Sequence, residues 1–139
     1  MIYAFPNDFM FGTSTAAAQI ETAFDHDWEG VKSLDGHIFN RTTDHELRIK
    51  EDAQIIASLA PNYRMGLLWS KLQRQPYDEF DAATVKHYKK LLGDLTAKKV
   101  KIMMVLHHFT NPKWFAKLGG WEKEENIPMW VDFCNKVIR

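Results

Sequence analysis

The most constraining stretch of the chain is Val100-Lys101-Ile102-Met103-Met104-Val105-Leu106, a nearly unbroken apolar run. Seven residues are too few for an ordinary helix, and a half-buried strand would alternate apolar and polar positions. A run of this kind suits a strand of a parallel sheet with both faces covered. Parallel strands cannot be joined by tight turns, so the chain has to cross over between them, usually through a helix.

The flanking sequence supplies such crossovers. Phe9 to Thr15 is a short apolar and β-branched run that predicts a first strand, entered through Pro6-Asn7-Asp8. Residues 25–41 lack periodicity, carry Gly30, Asp35 and Gly36, and predict a long loop. Thr43-Asp44-His45-Glu46 fits a capping box at a helix start. Behind it Ile49, Ala53, Ile56 and Ala60 share one face, with Leu59 beside them, and Pro61 closes the helix. Asn62 to Trp69 predicts a second, buried strand. A turn at Pro76 to Glu79 follows, and Asp81 is placed to cap a helix with Val85, Tyr88, Leu91, Leu92 and Leu95 inward. Its Lys86, Lys89, Lys90 and Lys98 form a solvated face rather than a nucleic-acid patch. After the run at 100–106 and a loop from His107 to Asn126, Pro128 sits in the first turn of a last helix.

The order strand, helix, strand, helix, strand, helix makes an α/β fold. Two architectures suit it: an open doubly wound sheet, or the first three strand-helix units of a (β/α)8 barrel in a single domain spanning 1–139. An open sheet that binds nucleotides carries a Gly-rich loop after its first strand. Here Ala16-Ala17-Ala18-Gln19-Ile20-Glu21 stands there instead, so nucleotide binding has no support.

Charge narrows the partners. Lys plus Arg and Asp plus Glu both number 18, which implies no general attraction to nucleic acid or an anionic membrane. Cys134, the only cysteine, cannot form an internal disulfide, and it lies on an apolar stripe with Ile127, Trp130, Val131, Val137 and Ile138 that predicts a buried thiol. Met1 to Asp8 has no basic region followed by a long apolar run, so no signal peptide is expected and a cytoplasmic setting is.

Barrel enzymes gather their chemistry past the C-terminal strand ends. There the sequence offers Gln19 after the first strand and His107-His108 after the third. Neighbouring residues on a strand face opposite sides, so the two histidines do not make a metal pair. Arg64 lies in a run expected to be buried, where a guanidinium needs a carboxylate or several acceptors. It is either half of a structural ion pair or part of a site. Glu122, Glu124 and Glu125 sit in a polar loop and are solvated charges.

Four separated blocks resemble glycoside hydrolase family 1. They are Phe5-Pro6 through Phe11-Gly12-Thr13-Ser14-Thr15-Ala16-Ala17 to Gln19-Ile20-Glu21; Asp44-His45 with Lys50-Glu51-Asp52; Asn62-Tyr63-Arg64 through Trp69-Ser70-Lys71; and Leu106-His107-His108-Phe109-Thr110-Asn111-Pro112 with Gly119-Gly120-Trp121. The resemblance implies a retaining β-glycosidase barrel that needs no cofactor, with a β-glycoside or oligosaccharide as substrate. It gives Gln19, His108 and Phe109 to substrate binding and Arg64 to support of the nucleophilic carboxylate. The family's two catalytic carboxyls stand ~5 Å apart in such an enzyme. They belong to an Asn-Glu-Pro motif on the fourth strand and to a position near the seventh, and neither motif occurs in these residues. The chain is therefore expected to be inactive alone and to need the rest of the barrel. The alternative is a sugar-binding or self-associating barrel fragment without catalysis. Phe11, Ala18, Thr22, Lys71 and Phe109 depart from the commonest family residues, which leaves sugar specificity unread.

Overall fold

A computed structural model describes residues 4–22 and 25–139. Met1 to Tyr3, the start of the stretch inspected for a leader, lie outside them. Three strands, β1 (Gly12–Thr15), β2 (Asn62–Gly66) and β3 (Lys101–Val105), form a parallel sheet in the order β1-β2-β3. Helix α1 (Ala17–Ile20) is a single turn after β1, and α2 (His45–Leu59) makes the crossover to β2. The short α3 (Trp69–Leu72) follows β2, and α4 (Ala82–Ala97) leads to β3. Past β3 come α5 (Lys113–Lys117), two 3₁₀ turns (Gly120–Glu122 and Glu124–Asn126) and α6 (Ile127–Ile138). Among the described residues no helix is long and apolar enough to cross a membrane.

Strand register follows from side-chain alternation. Tyr63 and Met65 point into the helical layer and are buried against Ile49, Ala53 and Ile56 of α2 and Leu91 and Leu95 of α4. Ile102 and Met104 of β3 pack on the same core. The intervening positions Ser14, Arg64 and Met103 lie in register across the three strands, on the face the helices leave open. β1 and β2 can pair only because Gly12 lacks a side chain: a Cβ there would meet the Asn62 carbonyl oxygen at 2.7 Å.

Several expectations need correction. The run at 100–106 is covered on one face, not two: Met103 is 54% exposed and Lys101 is exposed as well. Arg64 is exposed for the same reason, not buried. Strand β1 is shorter than Phe9 to Thr15. Phe9 and Phe11 instead join Phe5 in an exposed aromatic cluster with ring centroids 4.5–4.9 Å apart. β2 ends at Gly66, because Trp69 already begins a helical turn. The capping box does not close: Asp44 takes a left-handed backbone (φ 56) without a side-chain cap bond, and Glu46 reaches the backbone N–H of Thr22 at 3.2 Å. Leu59 is exposed.

Other features agree. Asp81 caps α4, accepting from the Thr84 N–H at 2.8 Å and its hydroxyl at 2.7 Å. Tyr88, Leu91 and Leu95 are buried while Lys86, Lys89, Lys90 and Lys98 are exposed. In α6 the innermost residue is Phe133, fully buried, which leaves Ile127, Val131 and Ile138 outside; Cys134 is half-buried, and burial pushes its thiol up.

Candidate functional site

The C-terminal ends of the strands gather the candidate residues. His107 and His108 diverge as neighbours in an extended segment must. His107 turns into an aromatic cluster, edge-on to Trp121 and Trp130, and its Nε2 lies 3.0 Å from Asn111 Oδ1. His108 turns the other way, onto β2. A Cβ built on Gly66 would stand 3.2 Å from the His108 Cβ, 3.3 Å from its Nδ1 and 3.4 Å from the Ala17 N. Gly66 thus brings β2, the imidazole and the start of α1 to one point. The signal was in the sequence, since a glycine inside a strand marks a close approach.

The His108 imidazole is held below its usual pKa, first by burial, then by the Arg64 and His107 charges. It is therefore neutral at pH 7, with one nitrogen donating and one accepting. Nδ1 is buried without a hydrogen-bond partner. Arg64 lies on the open face and donates to Ser14 Oγ at 3.3 Å. No carboxylate among the described residues lies within ion-pair distance of it. The structure brings Arg64 and His108 into electrostatic reach, while the carboxylate partner expected from the sequence is not among these residues.

Gln19 stands exposed on α1. Its backbone is fixed from both sides: Ala17 and Ala18 are buried against Leu68 with Phe39, and Glu21 is 2% exposed. Glu21 accepts from Lys71 Nζ at 2.9 Å and from the Tyr88 hydroxyl at 3.0 Å; the Tyr88 oxygen in turn accepts from the Leu68 N–H at 3.1 Å. Burial, then the Glu21 charge, holds the Tyr88 phenol well above its usual pKa, so it stays a donor. Lys71 here answers Glu21 across the β1 and β2 exits.

Phe109 has a positive φ of 71°, uncommon for a residue with a large side chain, and the Thr110 N–H donates to the His108 carbonyl at 3.0 Å. This tight turn throws the Phe109 ring outward, 4.3 Å from the His108 ring and stacked on Trp28 at 5.5 Å and 15°. Trp28 is 37% and Phe109 47% exposed. Trp28 escaped the sequence reading because an aromatic residue in an aperiodic loop carries no signal of what it will face.

The Gly66 contact gives a prediction. Gly66→Ala should displace His108 by a few tenths of an ångström at modest stability cost, about 1 kcal/mol. An imidazole resonance that shifts in a histidine NMR spectrum, with a urea midpoint lowered by about 0.3–1 M, is the expected result; an unmoved His108 resonance would contradict the packing.

A parallel sheet thus carries an amide, an imidazole and a stacked ring pair past its C-terminal strand ends, with a guanidinium on the open face of its middle strand, and this is the end at which barrel enzymes gather their chemistry. Comparison with known proteins makes this specific. The glycosyl hydrolase family 1 model matches residues 1–139, and the chain belongs to that family. It is 27% identical to a 6-phospho-beta-glucosidase of Bacillus subtilis, with 99% of this chain and 32% of that protein covered. It is 31% identical to beta-glucosidase 6 of Oryza sativa, with 98% and 29% covered. Among solved structures it superposes on the beta-glycosidase of Pyrococcus horikoshii with a TM-score of 0.85 and 32% identity, over 96% of this chain and 32% of that one. The chain spans about a third of the length of the relatives it matches.

Proposed function

We propose that this chain forms the first three strand-helix units of a retaining β-glycosidase barrel and supplies part of its sugar subsite. Gln19 and the neutral His108 exchange hydrogen bonds with hydroxyls of the sugar, since each can donate and accept. The exposed Phe109 and Trp28 rings offer apolar faces to the C–H side of a glycoside. Arg64 steadies the nucleophilic carboxylate, which a strand outside these residues provides. Hydrolysis itself then depends on two carboxyls that the completed barrel brings to this rim. The observation that carries the reading is the placement of Arg64: an exposed guanidinium on the open sheet face, within electrostatic reach of His108 and without a carboxylate. A cytoplasmic setting belongs to the same proposal and is supported by the lone, half-buried thiol.

The test is hydrolysis of 4-nitrophenyl β-D-glucoside and its 6-phosphate by the full product of the native locus, alongside the intact mass of that product. A mass several-fold above 16.2 kDa with activity is expected. Gln19→Ala and His108→Ala should each lower kcat/KM by ~100-fold, since hydroxyl contacts that tighten in the transition state supply several kcal/mol. Variants with unchanged kcat/KM would remove both residues from the subsite. The exposed Phe5, Phe9 and Phe11 cluster favours a second reading, a self-associating sugar binder. A native product of 16.2 kDa that binds glucose or cellobiose without hydrolysing glycosides would select it.

A further inference from the structure

Five hydrogen bonds converge on Asn111, two residues beyond Phe109. Its backbone N–H donates to Asp27 Oδ1 at 2.9 Å and its side-chain amide to Asp27 Oδ2 at 2.8 Å. Its carbonyl accepts from the Asp27 N–H at 2.9 Å. Its Oδ1 accepts from Trp121 Nε1 at 2.8 Å, and His107 Nε2 lies 3.0 Å from the same oxygen. Because the amide nitrogen is committed to a carboxylate, that oxygen is an acceptor, and His107 must carry its proton on Nε2. Asp27, so held on both carboxylate oxygens and its own N–H, is the residue immediately before Trp28.

The attachment extends to either side. The Lys113 N–H donates to the Asp25 carbonyl at 2.8 Å, the Lys113 ammonium pairs with Glu29, and His26 bridges to Pro112 in antiparallel fashion. Residues 25–29 are thereby laced to 111–113, although 84 positions separate Asp27 from Asn111. Both rings of the stacked pair hang from this seam: Phe109 by a turn with an uncommon backbone conformation, Trp28 from a loop without regular structure.

We propose that Asn111, acting through Asp27, is a positioning residue that sets the Trp28 ring parallel to Phe109 and so fixes the aromatic face at the mouth of the site. It touches no reacting group; it decides where the rings stand. What the rings bind rests on the glycosidase reading above, whereas the seam itself does not. In the complete protein the seam acts on substrate binding and leaves bond cleavage to the carboxyls.

Three variants test this in the full-length product: Asn111→Ala, Asp27→Asn, and the exchange of Asp27→Asn with Asn111→Asp. Asp27→Asn preserves shape and loses only the acceptor facing the amide, so it decides the matter if Asn111→Ala does not fold. The exchange restores the side-chain pair with its polarity reversed, and leaves an oxygen for Trp121 and His107. Acrylamide quenching attributable to Trp28 is obtained by subtracting the matching Trp28→Phe protein. It should rise roughly twofold in the single variants, from a ring now 37% exposed, and return in the exchange. With an aryl β-glucoside, KM should rise ~10-fold while kcat stays within ~2-fold, the pattern of lost uniform binding, and the exchange should recover most of it. Unchanged Trp28 quenching in Asp27→Asn overturns the proposal, as does a fall in kcat at constant KM. If the parent product hydrolyses no glycoside, the glycosidase reading fails and the quenching series still decides the seam.

Discussion

Trp69→Ala is expected to cost about 3–5 kcal/mol, the range for emptying a fully buried tryptophan site, and to lower Tm by roughly 10–20 °C. Trp69 is 2% exposed and stands at the centre of an aromatic cluster. Its ring centroid lies 4.8 Å from Phe115, 5.2 Å from Phe133, 5.3 Å from Trp130 and 5.4 Å from Trp114. These rings come from α5 and α6, so the one side chain ties the exit of β2 to everything after β3. Its Nε1 also donates to Gln73 Oε1 at 2.9 Å, and Gln73, fully buried, bonds onward to the Asp78 carbonyl and Asp132, both at 2.9 Å. Removing the indole therefore leaves a void and an orphaned amide oxygen together. Trp69→Phe separates the two, since it keeps much of the volume and forfeits the hydrogen bond at about 1–2 kcal/mol. Urea unfolding followed by circular dichroism reads both variants. A Trp69→Ala midpoint within error of the parent would show that the cluster is not the anchor of the C-terminal half.

The second large effect is expected at Glu21. Glu21→Ala should cost about 3 kcal/mol, toward the low end of what breaking a buried ion pair costs, because Lys71 keeps 21% of its side chain exposed and regains some water. The Tyr88 hydroxyl loses its acceptor in the same step. The more discriminating variant replaces both partners, Glu21→Leu with Lys71→Met. Two charges then leave a low-dielectric site, and stability should return to near the parent value or above it. The double variant should nonetheless loosen the segment carrying Gln19, which the ionic contact holds against the β2 exit. Urea midpoints for the single and double variants, with hydrogen exchange of residues 17–21, decide it. A double variant less stable than Glu21→Ala would mean that the pair stabilises the fold outright rather than specifying where α1 sits.

How far the sequence revealed this structure depends on what each residue answers to. The helical cores at Ile49, Ala53, Ile56, Tyr88, Leu91 and Leu95 and the Asp81 cap were legible because periodicity and a local hydrogen bond determine them. The parallel sheet followed from the apolar run at 100–106 and the helices between strands. Burial of Arg64 and a second cover for β3 were misjudged for one shared reason. An apolar strand pattern records the environment of a whole sheet, and in these residues the helices supply only one of its two faces. Thr43 to Glu46 misled because a capping box competes with longer-range bonds, and Glu46 is taken by the Thr22 N–H. At the rim, His108 was found from its position past a strand end, and Arg64 because a guanidinium within an apolar strand calls for a partner. Trp28, Asp27 and Asn111 were not, since their association spans 84 positions and nothing in either segment alone announces it.

The alternation along β2 has a consequence for how this chain can change over generations. Tyr63 and Met65 fill the core while Arg64, between them, faces the open side with Ser14 and Met103 abreast. Loss or gain of one residue within Asn62 to Gly66 would invert every side chain, burying a guanidinium and exposing a phenol in a single event. Lineages descended from such a chain are thus free to lengthen or shorten the exposed turn from Ser33 to His37, which lies beyond both Phe39 and the Asp27–Asn111 seam. They must keep the count of residues in β2 fixed, and can explore that strand by substitution alone.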